Sequence, residues 1–248
     1  MTQPNFSYLI YATPRTGSFL LCEALRNVGI AGQPREYFWP RNRSYWTERW
    51  RVTSNADFLQ QAIVAGTSSN GVFGAKVMWE YFEDLVSTIR QATNKWEMSV
   101  PELFEAAFPN MHYIWIRRRD KVRRAISHWK ALQSDIWMWT TDEPPVPAKE
   151  PVFDFSEIER LIRQNEQYES AWQSFFDTYQ ITPFYCFYED LVNAYEQTVI
   201  DVLEFLSVPI PEKLTFAPRI LKKQADAVSE QWFEWYHQQK SQQNSDGD

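Results

Sequence analysis

The stretch that decides the fold reads Tyr8-Leu9-Ile10-Tyr11-Ala12-Thr13-Pro14-Arg15-Thr16-Gly17-Ser18. Its apolar first half, Tyr8–Ala12, predicts a buried strand, and the polar residues after it predict a tight loop. An apolar helical pattern then runs from Ser18 to Val28. A strand, a short loop and a helix N-terminus in this order predict an anion site, because the first backbone N–H groups of a helix have no partner within it.

Arg15 adds a charged group to this loop. Its guanidinium is planar and suits phosphate or sulfate. The loop lacks the pattern G-x-x-x-x-G-K-[ST], so the lysine that contacts the β- and γ-phosphates in nucleoside triphosphatases is missing. The sequence therefore predicts an anion site without the signature of a triphosphatase.

Length and composition predict one globular unit. With 248 residues, 44% of them hydrophobic, the chain can bury a sizeable core, and we expect a single domain over residues 1–248 with a disordered tail at 241–248. No stretch reaches the roughly 18 apolar residues of a membrane span, and the first residues lack a signal-peptide pattern. Cys22 and Cys186 lie in apolar patterns and are expected to be reduced core residues, so a cytoplasmic location is predicted.

The charge is distributed unevenly. The net charge is −7, from 25 basic and 32 acidic side chains, which argues against a nucleic-acid-binding surface. Six of the basic residues nevertheless fall within the eight positions Arg117–Arg124. Basic residues at a helix N-terminus are unfavourable with the helix dipole unless an anion offsets them. This run therefore predicts a local site for a small polyanion, although a solvated basic helix start is the simpler alternative.

Strand and helix patterns alternate along the rest of the chain. Further strands are predicted at Val72–Met78, Met111–Arg117 and Phe184–Tyr188. Helices are predicted at Asp57–Ala65, Val100–Ala107, Asp120–Trp139, Ser156–Tyr179 and Asp190–Leu206. This alternation predicts an α/β fold with a central parallel sheet flanked by helices. Because ligands of such sheets bind beyond the carboxyl ends of the strands, the Thr13 loop and the Arg117 run are expected on the same edge.

Several motifs resemble one enzyme family. Thr13–Ser18 is similar to the 5′-phosphosulfate loop of sulfotransferases that use 3′-phosphoadenosine-5′-phosphosulfate (PAPS). The motif Gly32-Gln33-Pro34-Arg35-Glu36-Tyr37-Phe38 narrows the resemblance to the bacterial Stf0-type carbohydrate sulfotransferases, whose reference member sulfates trehalose. Similar segments follow in the family's order at Gly74–Trp79, Tyr188–Leu191 and Lys222–Asp226. The resemblance implies a P-loop-like sulfotransferase fold, PAPS as co-substrate, a carbohydrate or glycolipid acceptor, and a homodimer.

The resemblance also assigns residues to the co-substrate. It implies that the 5′-phosphosulfate is bound by Arg15, Thr16, Gly17 and Ser18, and that Lys223 belongs to a segment that closes over the nucleotide. The 3′-phosphate site is implied at Arg119 and Ser127, which are eight residues apart. A residue at the strand end and one about two helical turns later can share a face. Arg118 is an equally reasonable neighbour, and the sequence leaves the choice between the two arginines open.

Glu36 is the expected general base. Sulfuryl transfer to an alcohol requires removal of the hydroxyl proton, and the resemblance gives this role to the glutamate of the Gly32–Phe38 motif, with Arg15 stabilising charge. A loop carboxylate paired with Arg35 or Arg15 is the alternative for Glu36, and His128 is a rival base. Three histidines and two cysteines without ligand spacing do not predict a metal site.

Two other functions stay open on the sequence. A P-loop kinase-like phosphotransferase would need the missing loop lysine and carboxylates for magnesium, and a non-catalytic nucleotide-binding protein of the same fold would bind without turnover. Two departures from the family are also visible. Phe19 stands where many sulfotransferases have a hydroxyl residue, and Trp39–Val52 does not match the trehalose enzyme, so trehalose itself is not implied.

Overall fold

A computed structural model describes residues 4–143, 145–222 and 224–245 of the chain. Within them a parallel sheet has the strand order β2-β1-β3-β4. The strands are β1 (Phe6–Ala12), β2 (Val72–Met78), β3 (Met111–Arg117) and β4 (Phe184–Phe187). The predicted α/β fold with a central parallel sheet is confirmed.

Helices connect the strands and follow the last one. They are α1 (Ser18–Asn27), α2 (Arg43–Trp50), α3 (Asn55–Gly66), α4 (Phe82–Thr93), α5 (Val100–Ala107), α6 (Lys121–Ser134), α7 (Phe155–Thr178), α8 (Tyr188–Asn193), α9 (Tyr195–Phe205) and α10 (Ala227–Ser245). Short 3₁₀ turns cover Pro40–Asn42 and Trp79–Tyr81. In the part of the chain that the structure describes, no helix is both long and apolar enough to cross a membrane.

The sheet is buried on both faces. Alternate residues of β1 point to opposite sides, so Leu9 and Tyr11 pack with α3, α4, α5 and α7, while Tyr8 and Ile10 pack with α1, α8 and α9. A third apolar cluster joins α6, α7 and α10. The two main layers explain why the strands read as continuous apolar runs.

Three helix predictions were wrong in detail. The helix predicted over Asp120–Trp139 ends at Ser134, because Asp135 adopts the left-handed conformation with φ 57°. The helix predicted over Ser156–Tyr179 begins one residue earlier, at Phe155, because Asp154 caps it: the Asp154 side chain accepts from the Glu157 N–H at 3.0 Å.

The third difference concerns the helix predicted over Asp190–Leu206. It is divided into α8 and α9 at Ala194, whose φ of −134° and ψ of 56° are not helical. Tyr188, predicted as the last residue of a strand, is the first residue of α8. This early helix start brings the Tyr188 ring to the edge of the sheet where the Thr13 loop lies.

Candidate active site

The loop after β1 is held in a shape that only glycine allows at its last position. Thr16 closes the turn by donating from Oγ1 to the Thr13 carbonyl at 2.9 Å. Gly17 then adopts φ 84°, and a Cβ placed there would lie 2.5 Å from Tyr188 Cδ2. Helix α1 begins at Ser18 with no side-chain cap. Its first N–H groups therefore face the space above the loop.

The Arg15 guanidinium donates to three neutral oxygens of other segments. Its Nε donates to Ser127 Oγ at 2.9 Å, its Nη1 donates to the Trp137 carbonyl at 2.6 Å, and its Nη2 donates to Gln224 Oε1. Arg15 thereby joins the loop to helix α6, to the chain after α6 and to the segment before α10. The Arg15–Ser127 contact brings together two residues predicted for opposite ends of the co-substrate.

A second guanidinium lies next to Arg15. Arg118 donates from Nη1 to the Arg15 carbonyl at 3.4 Å, and its guanidinium carbon lies 4.5 Å from the centre of the Tyr188 ring. Burial and the charge of Arg118 lower the pKa of Arg15 to about 10, and burial also lowers the pKa of Arg118. Arg118 Nε is buried and has no hydrogen-bond partner among the residues that the structure describes. The Arg15 guanidinium, which has neutral hydrogen-bond partners and the charge of Arg118 nearby, is in an environment that an anion stabilises.

Arg119 is directed elsewhere. Its guanidinium donates to both carboxylate oxygens of Asp190, at 2.6 and 2.7 Å, and both side chains are about half exposed, at 50% and 54%. Its backbone N–H donates to Glu189 at 3.0 Å. Of the two arginines left open by the sequence, Arg118 is therefore the one whose guanidinium contacts the loop, whereas Arg119 is paired with an acid at the surface.

Arg124 holds the loop through hydrogen bonds to Thr13 and Pro14. It is fully buried, donates from Nε to the Pro14 carbonyl at 2.9 Å and from Nη2 to Thr13 Oγ1, and forms an ion pair with Glu169. Burial would raise the pKa of Glu169, but the charges of Arg124 and Lys121 lower it overall. Removing one member of such a buried pair leaves an uncompensated charge. Arg124 therefore fixes the backbone that carries Arg15.

Glu36 lies at the same edge of the sheet as the Thr13 loop, beside the end of β2. The chain before it runs along β2, where the Lys76 N–H donates to the Arg35 carbonyl at 3.0 Å. This approach requires Gly32, which has φ 73° and whose Cβ would lie 2.8 Å from the Gly74 nitrogen. The glycine of the motif thus explains why its glutamate lies beside the end of β2.

Both oxygens of the Glu36 carboxylate are in contact with protein groups. Oε2 lies 3.1 Å from Lys76 Nζ, and Oε1 accepts from the Tyr81 hydroxyl at 2.9 Å. The alternative pairing with Arg35 or Arg15 is not what the structure shows for this side chain. Glu80 lies near Glu36. Part of its side chain is exposed, yet partial burial by neighbouring atoms and the negative charge of Glu36 raise the pKa of Glu80 to about 7.

His128 lies inside the helix layer. It is 5% exposed, and within the described part of the chain its Nδ1 has no hydrogen-bond partner. Burial and the charges of Arg15 and Arg124 lower the pKa of His128 to about 3. An imidazole that protonates so reluctantly is a poor proton acceptor. Among the residues described, no group of three or more His, Cys, Asp or Glu side chains is arranged to hold a metal ion.

The structure thus brings Arg15, Ser127 and Arg118 together and leaves Arg119 outside that group. Lys223 lies outside the described residues. Sequence reasoning gave no role to Lys76, Tyr81, Arg124 or Glu169. A signal existed for two of them, because Lys76 interrupts an apolar strand and Glu169 interrupts the apolar face of α7.

Comparisons with known proteins find similarity to sulfotransferases. A family model described as Stf0 sulphotransferase matches residues 7–239. Trehalose 2-sulfotransferase of Mycolicibacterium smegmatis is 26% identical, covering 95% of this chain and 96% of that protein. Trehalose 2-sulfotransferase of Mycobacterium tuberculosis is also 26% identical, covering 92% of this chain and 93% of that protein. A sulfotransferase domain from the curacin biosynthetic pathway gives a TM-score of 0.49 at 17% identity over 86% of this chain and 77% of that domain.

Proposed function

The chain belongs to the Stf0 sulphotransferase family, and we propose that it transfers the sulfuryl group of PAPS to a hydroxyl group of a carbohydrate or glycoside. One observation carries the proposal: a cationic loop at the end of β1 and a carboxylate beside the end of β2 share one edge of the sheet. Donor binding and proton removal need these two features next to each other.

The proposed donor site is built from the loop and the start of α6. The N–H groups at Thr16, Gly17 and Ser18 and the positive end of the α1 dipole bind the 5′-phosphosulfate. The position of Arg118 supports this, because it donates to the Arg15 carbonyl at 3.4 Å and its charge lowers the pKa of Arg15, an effect that a bound anion would offset. The proposed 3′-phosphate site contains Ser127 with Arg118 or Arg119, and Arg119 would have to leave Asp190 to join it. Lys223 belongs to the segment that we propose closes over the nucleotide.

The proposed chemistry is an in-line displacement. The acceptor oxygen forms a bond to sulfur while the bond from sulfur to the phosphate oxygen breaks, and PAPS supplies the sulfuryl group. Glu36 accepts the hydroxyl proton. Its carboxylate has lone pairs left besides those facing Lys76 and Tyr81, so an acceptor hydroxyl can donate to it. Arg15 and the loop N–H groups stabilise the charge that develops on the sulfuryl oxygens and on the leaving phosphate.

The proposed acceptor class is a sugar. Both curated relatives carry trehalose in their names, which supports a carbohydrate, whereas the Trp39–Val52 region departs from that enzyme. In this region the rings of Trp46 and Trp50 stack at 4.8 Å, and Arg41 lies 5.7 Å over the Trp39 ring. Aromatic and charged groups of this kind bind sugar faces and hydroxyls. We therefore propose a carbohydrate or glycolipid, with trehalose as one candidate.

Location and assembly are part of the same proposal. We propose a cytoplasmic enzyme, in agreement with two buried free thiols, Cys22 and Cys186. The family resemblance suggests a homodimer, which light scattering of the purified chain would measure directly.

The proposal is tested by following two labels in parallel. The purified chain is incubated with ³⁵S-labelled PAPS, or with γ-³²P-labelled ATP and Mg²⁺, together with a panel of trehalose, other disaccharides, monosaccharides and a glycolipid extract. We expect ³⁵S in a sugar product and no ³²P. Transfer of ³²P would favour the kinase-like alternative, and tight binding of 3′-phosphoadenosine 5′-phosphate (PAP) with no transfer of either label would favour a non-catalytic protein.

A further inference from the structure

Lys76 is the unusual residue of the edge strand β2. Its neighbours in Val72–Met78 are apolar or glycine, and its own side chain is 1% exposed. A buried ammonium needs a compensating charge, because burial without one strongly disfavours the charged form. The fold must therefore keep Lys76 for a reason other than apolar packing.

The ammonium of Lys76 has two neighbours. Glu36 Oε2 lies 3.1 Å from Nζ, and the centre of the Phe19 ring lies 3.6 Å from it. The ring face is attractive for a cation, and Phe19 is the second residue of α1. The residue that departs from the family pattern thus helps to hold Lys76 against Glu36.

Tyr81 contacts the other carboxylate oxygen. Its hydroxyl donates to Glu36 Oε1 at 2.9 Å, and the residue is 4% exposed. Burial and the negative charge of Glu36 raise the pKa of Tyr81 well above its ordinary value, so the phenol stays a hydrogen-bond donor. The Glu36 carboxylate is therefore held on one oxygen by a charge and on the other by a neutral donor.

We propose that Lys76 and Tyr81 are positioning residues for Glu36, which rests on the function proposed above. One contact is made to each carboxylate oxygen, and together they fix the direction of the remaining lone pairs of Glu36. During transfer the acceptor proton moves to Glu36, while Lys76 and Tyr81 keep their own protons. Neither residue needs to touch the donor or the acceptor.

This assignment differs from two other roles for Lys76. A lysine that contacts the transferring sulfuryl group would lower the barrier independently of Glu36. A purely structural lysine would affect folding and donor binding. The three roles predict different results in a double-mutant cycle, because residues that act through one another are not additive.

The cycle uses Lys76→Met, which keeps length without charge, and Tyr81→Phe, which removes only the hydroxyl. Each is combined with Glu36→Gln, and kcat is measured as ³⁵S transfer from PAPS to the best sugar of the panel. Alone, Lys76→Met is expected to lower kcat about 100-fold and Tyr81→Phe about 10-fold. In the Glu36→Gln background each should change kcat by less than about twofold.

Controls separate positioning from folding and donor binding. Tyr113→Phe makes the same chemical change in the same core, where Tyr113 stacks on Tyr11 at a ring distance of 5.5 Å, and should leave kcat unchanged. PAP affinity by calorimetry should be the same in wild type, Lys76→Met and Tyr81→Phe. If Lys76→Met does not fold, Tyr81→Phe carries the test alone.

Three results would overturn the inference. In the first, the fold-losses in kcat of the two single variants multiply fully in the double variant. In the second, a loss of PAP affinity accounts for the lower rate. In the third, Tyr113→Phe lowers kcat as much as Tyr81→Phe does. Failure of the wild-type chain to transfer ³⁵S to any sugar would instead refute the proposed function, and the inference with it.

Discussion

The site has a donor half, formed by the Thr13–Ser18 loop with Arg118 and Ser127, and a base half, formed by Glu36, Lys76 and Tyr81. The charges of the two halves differ in whether they already have a partner of opposite charge. In the donor half, Arg15 and Arg118 are close together, and the guanidinium of Arg15 donates to Ser127, the Trp137 carbonyl and Gln224, all neutral. In the base half, Glu36 has a cation on one oxygen and a phenol on the other. A positive charge surrounded by neutral partners indicates where a ligand supplies the missing anion. A charge that is already paired indicates a group held in place for a reaction.

The largest effect is expected from removing the base. Glu36→Gln keeps the shape of the side chain but cannot accept a proton, so kcat should fall about 100- to 10,000-fold. PAP affinity, measured by calorimetry, should not change, because the donor half is intact.

Glu83→Gln is the matched control, since Glu83 lies exposed in the first turn of α4. It should leave both quantities at the wild-type value. Wild-type turnover in Glu36→Gln would remove this residue from the mechanism and return His128 to consideration.

The next effect distinguishes the two arginines that the sequence left open. Arg118→Met should weaken PAP binding about 10- to 100-fold, as expected for a lost hydrogen bond to a charged group. Arg119→Met should weaken it less, because the Arg119 guanidinium is paired with Asp190 at the surface. Calorimetry on both variants measures this difference. A larger loss in Arg119→Met would assign the main phosphate contact to Arg119.

A smaller effect is expected from the loop glycine. Gly17→Ala and Gly29→Ala both place a side chain at positive φ, 84° and 73°, which costs about 1–2 kcal/mol of unfolding free energy. Only Gly17→Ala also meets Tyr188, whereas nothing lies within 4 Å of a Cβ at Gly29. Urea unfolding should show the larger loss for Gly17→Ala, and only this variant should bind PAP less tightly. Equal losses would mean that Tyr188 yields to the added methyl group.

The smallest effect on activity is expected at His128, whose burial instead changes how stability depends on pH. The pKa of His128 is about 3 in the folded chain and about 6.5 when unfolded. Between these values the unfolded chain binds a proton that the folded chain does not. His128 therefore makes the folded state less stable as the pH falls below about 6.5, by up to about 1.4 kcal/mol per pH unit.

His128→Gln should remove this contribution. Urea unfolding between pH 4.5 and 7.5 should show a shallower dependence of stability on pH in the variant than in wild type, and turnover at pH 7.5 should persist. Identical slopes in the two proteins would contradict the burial argument, and loss of turnover would favour the rival base.

The difference between the halves also explains what the sequence could predict. The donor loop is local: strand, loop and helix start lie within Phe6–Asn27, so the periodicity and Gly17 are sufficient. The bounds of β2 and β3 were predicted to the residue, because buried strands read as apolar runs.

The base half depends on contacts between distant segments. Tyr81 is 45 residues from Glu36, and in the donor half the contact between Arg15 and Ser127 spans 112 residues in the same way. No local pattern encodes which atoms of such pairs meet. The preference of Arg119 for Asp190 is of the same kind, since it depends on where α8 begins after β4.

Calorimetric titration of the purified chain with PAP, with AMP, and with ATP and Mg²⁺ tests the central claim most directly. The pair of guanidiniums at the loop predicts tight binding of PAP, weak binding of AMP, which lacks the 3′-phosphate, and no preference for ATP with Mg²⁺. Tighter binding of ATP with Mg²⁺ than of PAP would contradict the account.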